Sequence, residues 1–422
     1  MNGGLSMVEM KRKYKKSEYG LIPVDWKEGT FADFLEGFSA GATPYRGITS
    51  NFKGKIKWIS SGELNYNRIN DTIEHISEEA FTKTSLKIHP EGTFLMAITG
   101  LEAAGTRGRC AFVGNPAATN QSCMAIYPTD KMINEYLYYF YRKYSEILAN
   151  KYCQGTKQKS YTSNIVKLLP IVCPPSIKEQ ASIATALSDV DSLISALTKK
   201  IEKKKAIKQG LMQQLLTGKK RLPGFGEKWV EIELGQHSIM NSGGTPSTAN
   251  PEYYGGKIPF LSINDITNAG KFIYETEKTI TEEGLKNSSA RLFKKGTIMY
   301  AMYASVGKCA ITKIRISCSQ AILGINVDST LDADFLYYYL VSIQDDVLNY
   351  GQTGTQTNLS KQIISSFILN VPSSKAEQTA IANILSDCDS EIAALEEKRD
   401  KYKEIKQGMM QQLLTGKIRL IK

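Results

Sequence analysis

The sequence predicts an α+β chain built from two tandem copies of one unit. Each copy is a mixed α/β body followed by a long helix. The two helices are expected to pair as an antiparallel coiled coil about a pseudo-two-fold axis. Three observations predict this. First, Ile207-Lys208-Gln209-Gly210-Leu211-Met212-Gln213-Gln214-Leu215-Leu216-Thr217-Gly218-Lys219 returns as Ile405-Lys406-Gln407-Gly408-Met409-Met410-Gln411-Gln412-Leu413-Leu414-Thr415-Gly416-Lys417, 198 residues later. Across Pro174 to Leu222, 31 of 49 positions are identical at that offset, a period too long for a solenoid repeat. Second, both copies of this segment carry apolar residues at alternating spacings of four and three, the seam of a coiled coil. Third, each copy follows a body rich in short β-like runs punctuated by Gly and Asn.

In order along the chain, the expected segments are a tail over 1–20, a first body over 21–173 and a first repeated helix over 174–219. A second body then covers 220–371 and a second repeated helix 372–422. The bodies are diverged copies of each other. Trp26 answers to Trp229, and Ala42-Thr43-Pro44 to Gly244-Thr245-Pro246. Gly92-Thr93-Phe94-Leu95-Met96-Ala97 answers to Gly296-Thr297-Ile298-Met299-Tyr300-Ala301, and Tyr138-Tyr139 to Tyr337-Tyr338. The runs Ile56 to Ile59, Thr93 to Ile98, Ile298 to Ala304 and Ile363 to Val371 read as strands. One helix per body is expected, over Asn134 to Ala149 and Ala333 to Leu348.

In the first long helix Ile183, Leu187, Val190, Ile194, Leu197 and Ile201 form the seam; Lys204 and Lys208 interrupt it, and Leu211 and Leu215 resume it. The second runs Ile381, Leu385, Cys388, Ile392, Leu395, Arg399, Tyr402, Lys406, Met409 and Leu413 in the same register. Pro174-Pro175 and Pro372 stop the preceding strands, and Gly218 and Gly416 suit the C-terminal caps. Each helix is then about 40 residues, roughly 60 Å long. The alternative is that each helix packs only on its own body.

The polar positions of the repeat carry further information. Lys208, Gln209, Gln213, Gln214 and Thr217 recur as Lys406, Gln407, Gln411, Gln412 and Thr415, although a coiled coil needs only its seam. Either helix packing tolerates less change than loops, or one kind of partner docks twice, once on each helix end. Between the bodies the matched positions are mostly apolar or Gly, and the differing ones mostly polar. Asn, Gln, Arg and Lys in loops are the side chains that read base edges in a major groove; they are also what any solvated loop contains.

Composition narrows the class. A net charge of +11 is compatible with a polyanionic partner. The seven cysteines show no CxxC spacing and there are only three histidines, so no metal site is expected. Reduced, buried thiols in a cytoplasmic protein are the expectation. No run approaches 18 apolar residues.

These features together resemble the specificity subunit of a type I restriction-modification system. The resemblance covers nearly the whole chain. It is carried by the Tyr19-Gly20-Leu21-Ile22-Pro23-Val24-Asp25-Trp26 entry, the Arg221-Leu222-Pro223-Gly224-Phe225 entry to the second body, the two Lys-Gln-Gly-x-Met-Gln-Gln-Leu-Leu-Thr-Gly-Lys helix ends, and the body–helix–body–helix order. It implies two target recognition domains, each reading half of a split DNA target, spaced by the paired helices. It also implies docking of two DNA adenine methyltransferase subunits and of nuclease-translocase subunits. S-adenosylmethionine and ATP would belong to those partners, so no cofactor and no catalytic residue is expected in this chain. Asn115-Pro116-Ala117-Ala118 lacks the aromatic that would stack on a flipped adenine, and no GxxxxGK[ST] loop is present.

By loop polarity and repeat position, the expected DNA contacts of the first body are Arg68, Arg107, Arg109, Lys157 and Lys159. Those of the second are Asn264, Asn268, Lys308, Gln356 and Asn358. The Lys199-Lys200 and Lys203-Lys204-Lys205 runs either attract phosphate or form a solvated helix face. A DNA-binding protein acting alone and a coiled-coil adaptor with no DNA role are the competing readings.

Overall fold

The structure, a computed structural model, describes residues 13–103, 105–155, 157–350 and 358–420. Contacts divide the chain into two units. Unit one takes residues 1–196 together with 398–422; unit two takes 197–397. Neither coincides with a sequence repeat, because each unit draws half of its helical part from the other copy.

The strands of unit one are β1 (Tyr14–Ser17), β2 (Gly20–Pro23), β3 (Lys27–Thr30), β4 (Glu36–Ala40), β5 (Ile56–Ile59), β6 (Arg68–Ile69), β7 (Glu74–Ile76), β8 (Phe94–Ala97), β9 (Cys110–Val113), β10 (Ala118–Thr119), β11 (Cys123–Tyr127) and β12 (Pro170–Cys173). Its body helix is α1 (Asn134–Tyr152) and the first repeated helix is α2 (Ile177–Leu215). A five-stranded sheet has the order β4-β11-β8-β9-β6, and a smaller one has the order β10-β5-β7. The entry strand β3 closes against the exit strand β12, with Lys27 opposite Cys173. β8 and β9 read Phe-Leu-Met-Ala and Cys-Ala-Phe-Val and are buried at every position. Such continuous apolar runs form strands covered on both faces, and α1 supplies Tyr136, Leu137, Phe140, Tyr141 and Leu148 to the same core.

Unit two repeats this plan from β3 onward, and the β1–β2 hairpin has no counterpart among its described residues. Its strands are β13 (Trp229–Glu233), β14 (Ser238–Ser242), β15 (Tyr254–Leu261), β16 (Phe272–Ile273), β17 (Lys278–Ile280), β18 (Ile298–Ala301), β19 (Cys309–Thr312), β20 (Ser317–Cys318), β21 (Ile322–Val327) and β22 (Ile368–Pro372). The large sheet runs β14-β21-β18-β19-β16, the small one β17-β15-β20, and β13 closes against β22. The body helix is α3 (Ala333–Ser342) and the second repeated helix is α4 (Lys375–Leu413).

Three expectations are corrected. The helix expected over Ala333 to Leu348 breaks at Ile343 and restarts as Gln344–Tyr350, where the Gln344 amide reaches the Val306 carbonyl at 3.3 Å. The strand expected from Ile363 begins only at Ile368, because Ser360 caps a short helix, Lys361–Ser365. The strand from Ile298 stops at Ala301, and Ala304 turns the chain with φ +59°.

Both repeated helices are 39 residues long, and their halves run antiparallel within each unit. In unit one Ile183, Ala184 and Leu187, near the start of α2, share a core with Leu413 and Leu414 at the end of α4. In unit two Ile381, Ala382 and Leu385 share a core with Leu215 and Leu216. Ion pairs in unit two follow the same direction: Lys204 meets Glu391 and Lys208 meets Asp389. The lysines that interrupt the seam are therefore cross-helix rungs. Gly218 and Gly416 end the helices at φ +68° and +67°, a backbone region that favours glycine. Among the described residues no helix is long and apolar enough to cross a membrane. All seven cysteines are free thiols, five of them buried.

Candidate nucleic-acid interface

Each unit carries a polar network that fixes its body on the helix pair. A charge in a half-buried seam needs a partner, and both copies supply the same one. In unit one Lys406 Nζ lies 2.5 Å from Asp191 Oδ1, and Tyr139 Oη donates to Asp191 Oδ2 at 2.9 Å. In unit two Lys208 Nζ lies 2.5 Å from Asp389 Oδ1, and Tyr338 Oη donates to Asp389 Oδ2 at 2.7 Å. Each ammonium also stands over the tyrosine ring, 5.6 Å from that of Tyr139 and 5.3 Å from that of Tyr338. Burial holds the Lys406 ammonium below the usual lysine pKa, and the neighbouring Arg142 adds to this.

A second network sits at the helix starts. Glu179 is buried and takes two hydrogen bonds from Arg419, at 2.5 and 2.8 Å. The same guanidinium forms two bonds of 2.9 Å to Asp25, whose carboxyl it holds below the ordinary range. In unit two the buried Glu377 takes two bonds of 2.7 Å from Arg221. Beside them Gln180 spans Ile133 N, Lys131 O and Pro174 O, while Gln378 spans Asp332 N, Thr330 O and Pro372 O. The segment after each helix thus folds onto the entry of a body. An added Cβ on Gly416 would meet Pro23 and Trp26, and one on Gly218 would meet Trp229.

At the end of each large sheet, three loops are tied together. In body one Tyr161 N donates to Ile98 O at 2.8 Å and Leu101 N to Lys159 O at 3.1 Å. These bonds join the segment before Arg109 to the segment around Lys159. The Leu64–Asn67 loop joins them through Tyr66 N to Cys110 O, 2.9 Å. In body two Leu359 N donates to Met302 O at 3.0 Å, and the Thr267 and Ser305 hydroxyls meet at 2.9 Å. The loop feet rest on matched caps. Ser60 N donates to Glu63 Oε2 and Ser262 N to Asp265 Oδ2, both at 2.8 Å. Each acid's other oxygen holds a strand entry, through Ile73 N at 2.9 Å and Glu277 N at 3.0 Å.

A family model described as the type I restriction modification DNA specificity domain matches residues 23–209 and again residues 226–407. The chain belongs to this family. It is 25% identical to the MjaVIII type I restriction enzyme specificity subunit of Methanocaldococcus jannaschii, over 98% of this chain and 99% of that protein. Its fold matches the crystal structure of a type I restriction-modification S subunit from M. genitalium with a TM-score of 0.62, at 17% identity, covering 95% of this chain and 98% of that one. A chain from a structure of type I restriction-modification complex assembly matches with a TM-score of 0.58, at 16% identity, over 94% and 99% of the two chains.

In this specificity subunit the residues expected at the DNA are unevenly placed. Arg109, Lys157 and Lys159 lie on the tied loops of body one, with Lys157 exposed and the other two half-buried. Arg107 is on the same loop, but its guanidinium holds Leu101 O, Glu102 O and the Glu146 carboxylate at 2.7–2.9 Å. Arg68 is turned away from them, 3.5 Å from Glu91 and over the Phe112 ring. In body two Asn264 and Asn268 are exposed on one short helix and bonded to each other at 3.3 Å. Lys308 is half-buried and Asn358 exposed; Gln356 lies outside the described residues.

The residues expected to hold partners divide in two. Lys208 and Lys406 are engaged within their units. Gln209, Gln213, Gln214, Gln407 and Gln411 are exposed, and Gln412 is half-buried. Thr217 and Thr415 donate to the carbonyls of Gln213 and Gln411 at 2.6 Å, closing the last helical turn. Lys204 and Lys205 pair with Glu391 and Glu396 at 2.6 Å, so two members of the lysine run are held on the helix pair. Sequence reading missed Asp191, Glu179, Gln180 and Arg221. Each recurs unchanged 198 residues later, which is the signal that marks them.

Proposed function

We propose that this chain is the address-bearing subunit of a type I restriction-modification complex. It reads a bipartite double-stranded DNA target with one body per half. The observation that carries this reading is what the two units share and what they do not: the lysine–aspartate–tyrosine and glutamate–arginine contacts and the strand order of the two sheets recur, whereas the tied loops at the sheet ends differ in side-chain chemistry. Residues 21–173 and 220–371 act as the two target recognition domains. The helices over 174–219 and 372–422 set the separation of the half-sites. Base contacts come from the sheet ends, with Arg109, Lys157 and Lys159 on the tied loops of body one and Asn264, Asn268, Lys308 and Asn358 in body two; Gln356, outside the described residues, is assigned with them from the sequence alone. Arg68 and Arg107 contribute positive charge nearby, which attracts phosphate in a salt-dependent way.

Two methyltransferase subunits dock on the helix ends through the exposed glutamines. Nuclease-translocase subunits join that assembly, and methyl transfer and ATP use belong to those partners in the cytoplasm. Two glycines support the docking. Gly210 and Gly408 lie inside long helices, and a Cβ added to either meets nothing within 4 Å. Glycine there costs about 1 kcal/mol of helix stability relative to alanine, with no packing reason in this chain. A partner approaching the backbone closely supplies one.

The test is to express the chain with a methyltransferase subunit of its own system and map N6-methyladenine on genomic DNA. A split motif with one modified adenine in each half is expected. Replacing residues 227–371 with another body should change one half of the motif only. If both halves change, or neither does, the one-body-per-half reading is wrong.

A further inference from the structure

Tyr66 belongs to neither network and to no core, yet its conformation is costly. Its φ is +57°, a region in which a bulky L-residue is a genuine outlier. Such strain persists only where the surroundings impose it, and it concentrates at sites of function. Here the surroundings are specific. Tyr66 N donates to Cys110 O at 2.9 Å, and Tyr66 O accepts from Tyr138 Oη at 2.9 Å. The Arg142 guanidinium lies 4.9 Å from the centroid of the Tyr66 ring. The ring's hydroxyl end is 4.0 Å from where a Cβ on Gly108 would stand, between Arg107 and Arg109. With all this support, 37% of the residue still faces solvent.

Arg142 is anchored from behind. Its Nη1 lies 3.1 Å from Tyr138 Oη and 3.3 Å from Asp191 Oδ2, so the ring is held by a group rooted in the Lys406–Asp191 network. Among the described residues body two shows no such device. Counting from the paired tyrosines, the position matching Arg142 is Val341. The non-glycine residue of positive φ among the described residues of unit two is Ala304.

We propose that Tyr66 is a specificity-determining residue of body one, presenting its ring edge and hydroxyl to a base pair of duplex DNA. Arg142 is the positioning residue that fixes the ring. The inference rests on the reading of the bodies as DNA readers. The chemistry suits a base edge: an aromatic ring packs on a thymine methyl, and a hydroxyl exchanges a hydrogen bond with a base in the major groove. Two rotatable bonds mean that little freedom is lost on contact.

The experiment uses the complex of the full chain with its methyltransferase and reads the N6-methyladenine motif. Three variants are compared with the parent: Tyr66→Gly, Arg142→Lys and an exchange of residues 21–173 for another body. Glycine suits the backbone at position 66, so the melting temperature of Tyr66→Gly should not fall. Its motif should lose discrimination by about 5- to 150-fold at one position of the half-site read by body one, the usual cost of one base-pair contact. The other half-site should stay as in the parent. Lysine at 142 keeps a charge beside Asp191 but not the planar face, so Arg142→Lys should relax the same position to a smaller degree. If Arg142→Lys matches the parent, the positioning role is refuted. If Tyr66→Gly keeps the parent motif while the body exchange changes one half, the inference about Tyr66 fails and the DNA-reading assignment stands. An unchanged motif in the body exchange overturns that assignment itself.

Discussion

Units one and two bind their helices with the same atoms and present different chemistry at the far ends of their sheets. Asp191 and Asp389 each take a lysine from the opposite helix and a tyrosine from their own body. In unit one the aspartate is also 3.3 Å from Arg142, which passes on to the Tyr66 ring. In unit two Lys271 stands over Tyr338 instead and pairs with Asp334 at 2.5 Å. The difference shows which positions physics constrains. A buried carboxylate without its partner is costly, so the arginine on Glu179 and on Glu377 recurs, as do the lysine and tyrosine on each half-buried aspartate. The loops answer to solvent and to whatever they touch.

The severest way to break the comparison is to strip the buried glutamates. Arg419→Leu should leave Glu179 unpaired and destabilise unit one by about 3–5 kcal/mol, and Arg221→Leu should destabilise unit two by leaving the buried Glu377 unpaired. Denaturant melts followed by tryptophan fluorescence separate the two, since Trp26 and Trp58 report on unit one and Trp229 on unit two. Equal losses in both units from either variant would contradict separate networks.

A finer contrast lies at the lysines. Lys208→Met should cost more than Lys406→Met, within a range of about 1–3 kcal/mol, because Asp191 keeps Arg142 whereas Asp389 keeps only Tyr338 in its own network. The reverse order in chemical melts would remove Arg142 from this account.

Mild acid should act on unit one through a buried histidine. His89 is buried against Tyr127, its Nδ1 2.7 Å from the phenol oxygen, and burial pulls its pKa from 6.5 to about 4. The folded state then binds fewer protons than the unfolded state across that window. This contribution to unit one is therefore full above pH 6.5 and is lost as pH falls toward 4. Unit two has Phe293 in the corresponding bridge, paired with Ile316 as His89 is with Ala117. His89→Phe should flatten the acid slope of unit one, read as melting temperature against pH.

The smallest effect concerns the helices. Gly210→Ala and Gly408→Ala should each raise stability by up to about 1 kcal/mol while lowering methyltransferase retention in a pull-down. Retention equal to the parent's would argue against close backbone approach at those glycines.

The duplication, the heptad seam and the helix ends were legible because each writes a period into the chain. Helix direction followed from the symmetry of two copies, and the ion pairs within each unit agree with it. The roles of Lys208 and Lys406 were not legible. A recurring lysine reads the same whether it meets a partner protein or an aspartate 181 or 215 residues away. The caps at Glu63 and Asp265 are legible in the Ser-x-x-acid spacing from Ser60 and Ser262. Tyr66 left no trace, because a positive φ is set by tertiary contacts and has no residue signature outside Gly and Asn. The break at Ile343 was hidden likewise, since it depends on a carbonyl 38 residues back.

The division of the chain also gives the molecule a birth order. Unit two is one unbroken stretch, 197–397, whereas unit one is closed by residues 398–422. At the ribosome the earliest residues are thus the last to be finished. At about 5–20 residues per second, roughly 10–50 s separate the emergence of Glu179 from that of Arg419, the arginine 240 residues later that neutralises it. Through that interval the nascent first unit carries an acidic group and an apolar helix face that its final partners have yet to cover, and a later-made segment, 398–422, completes the unit made earlier.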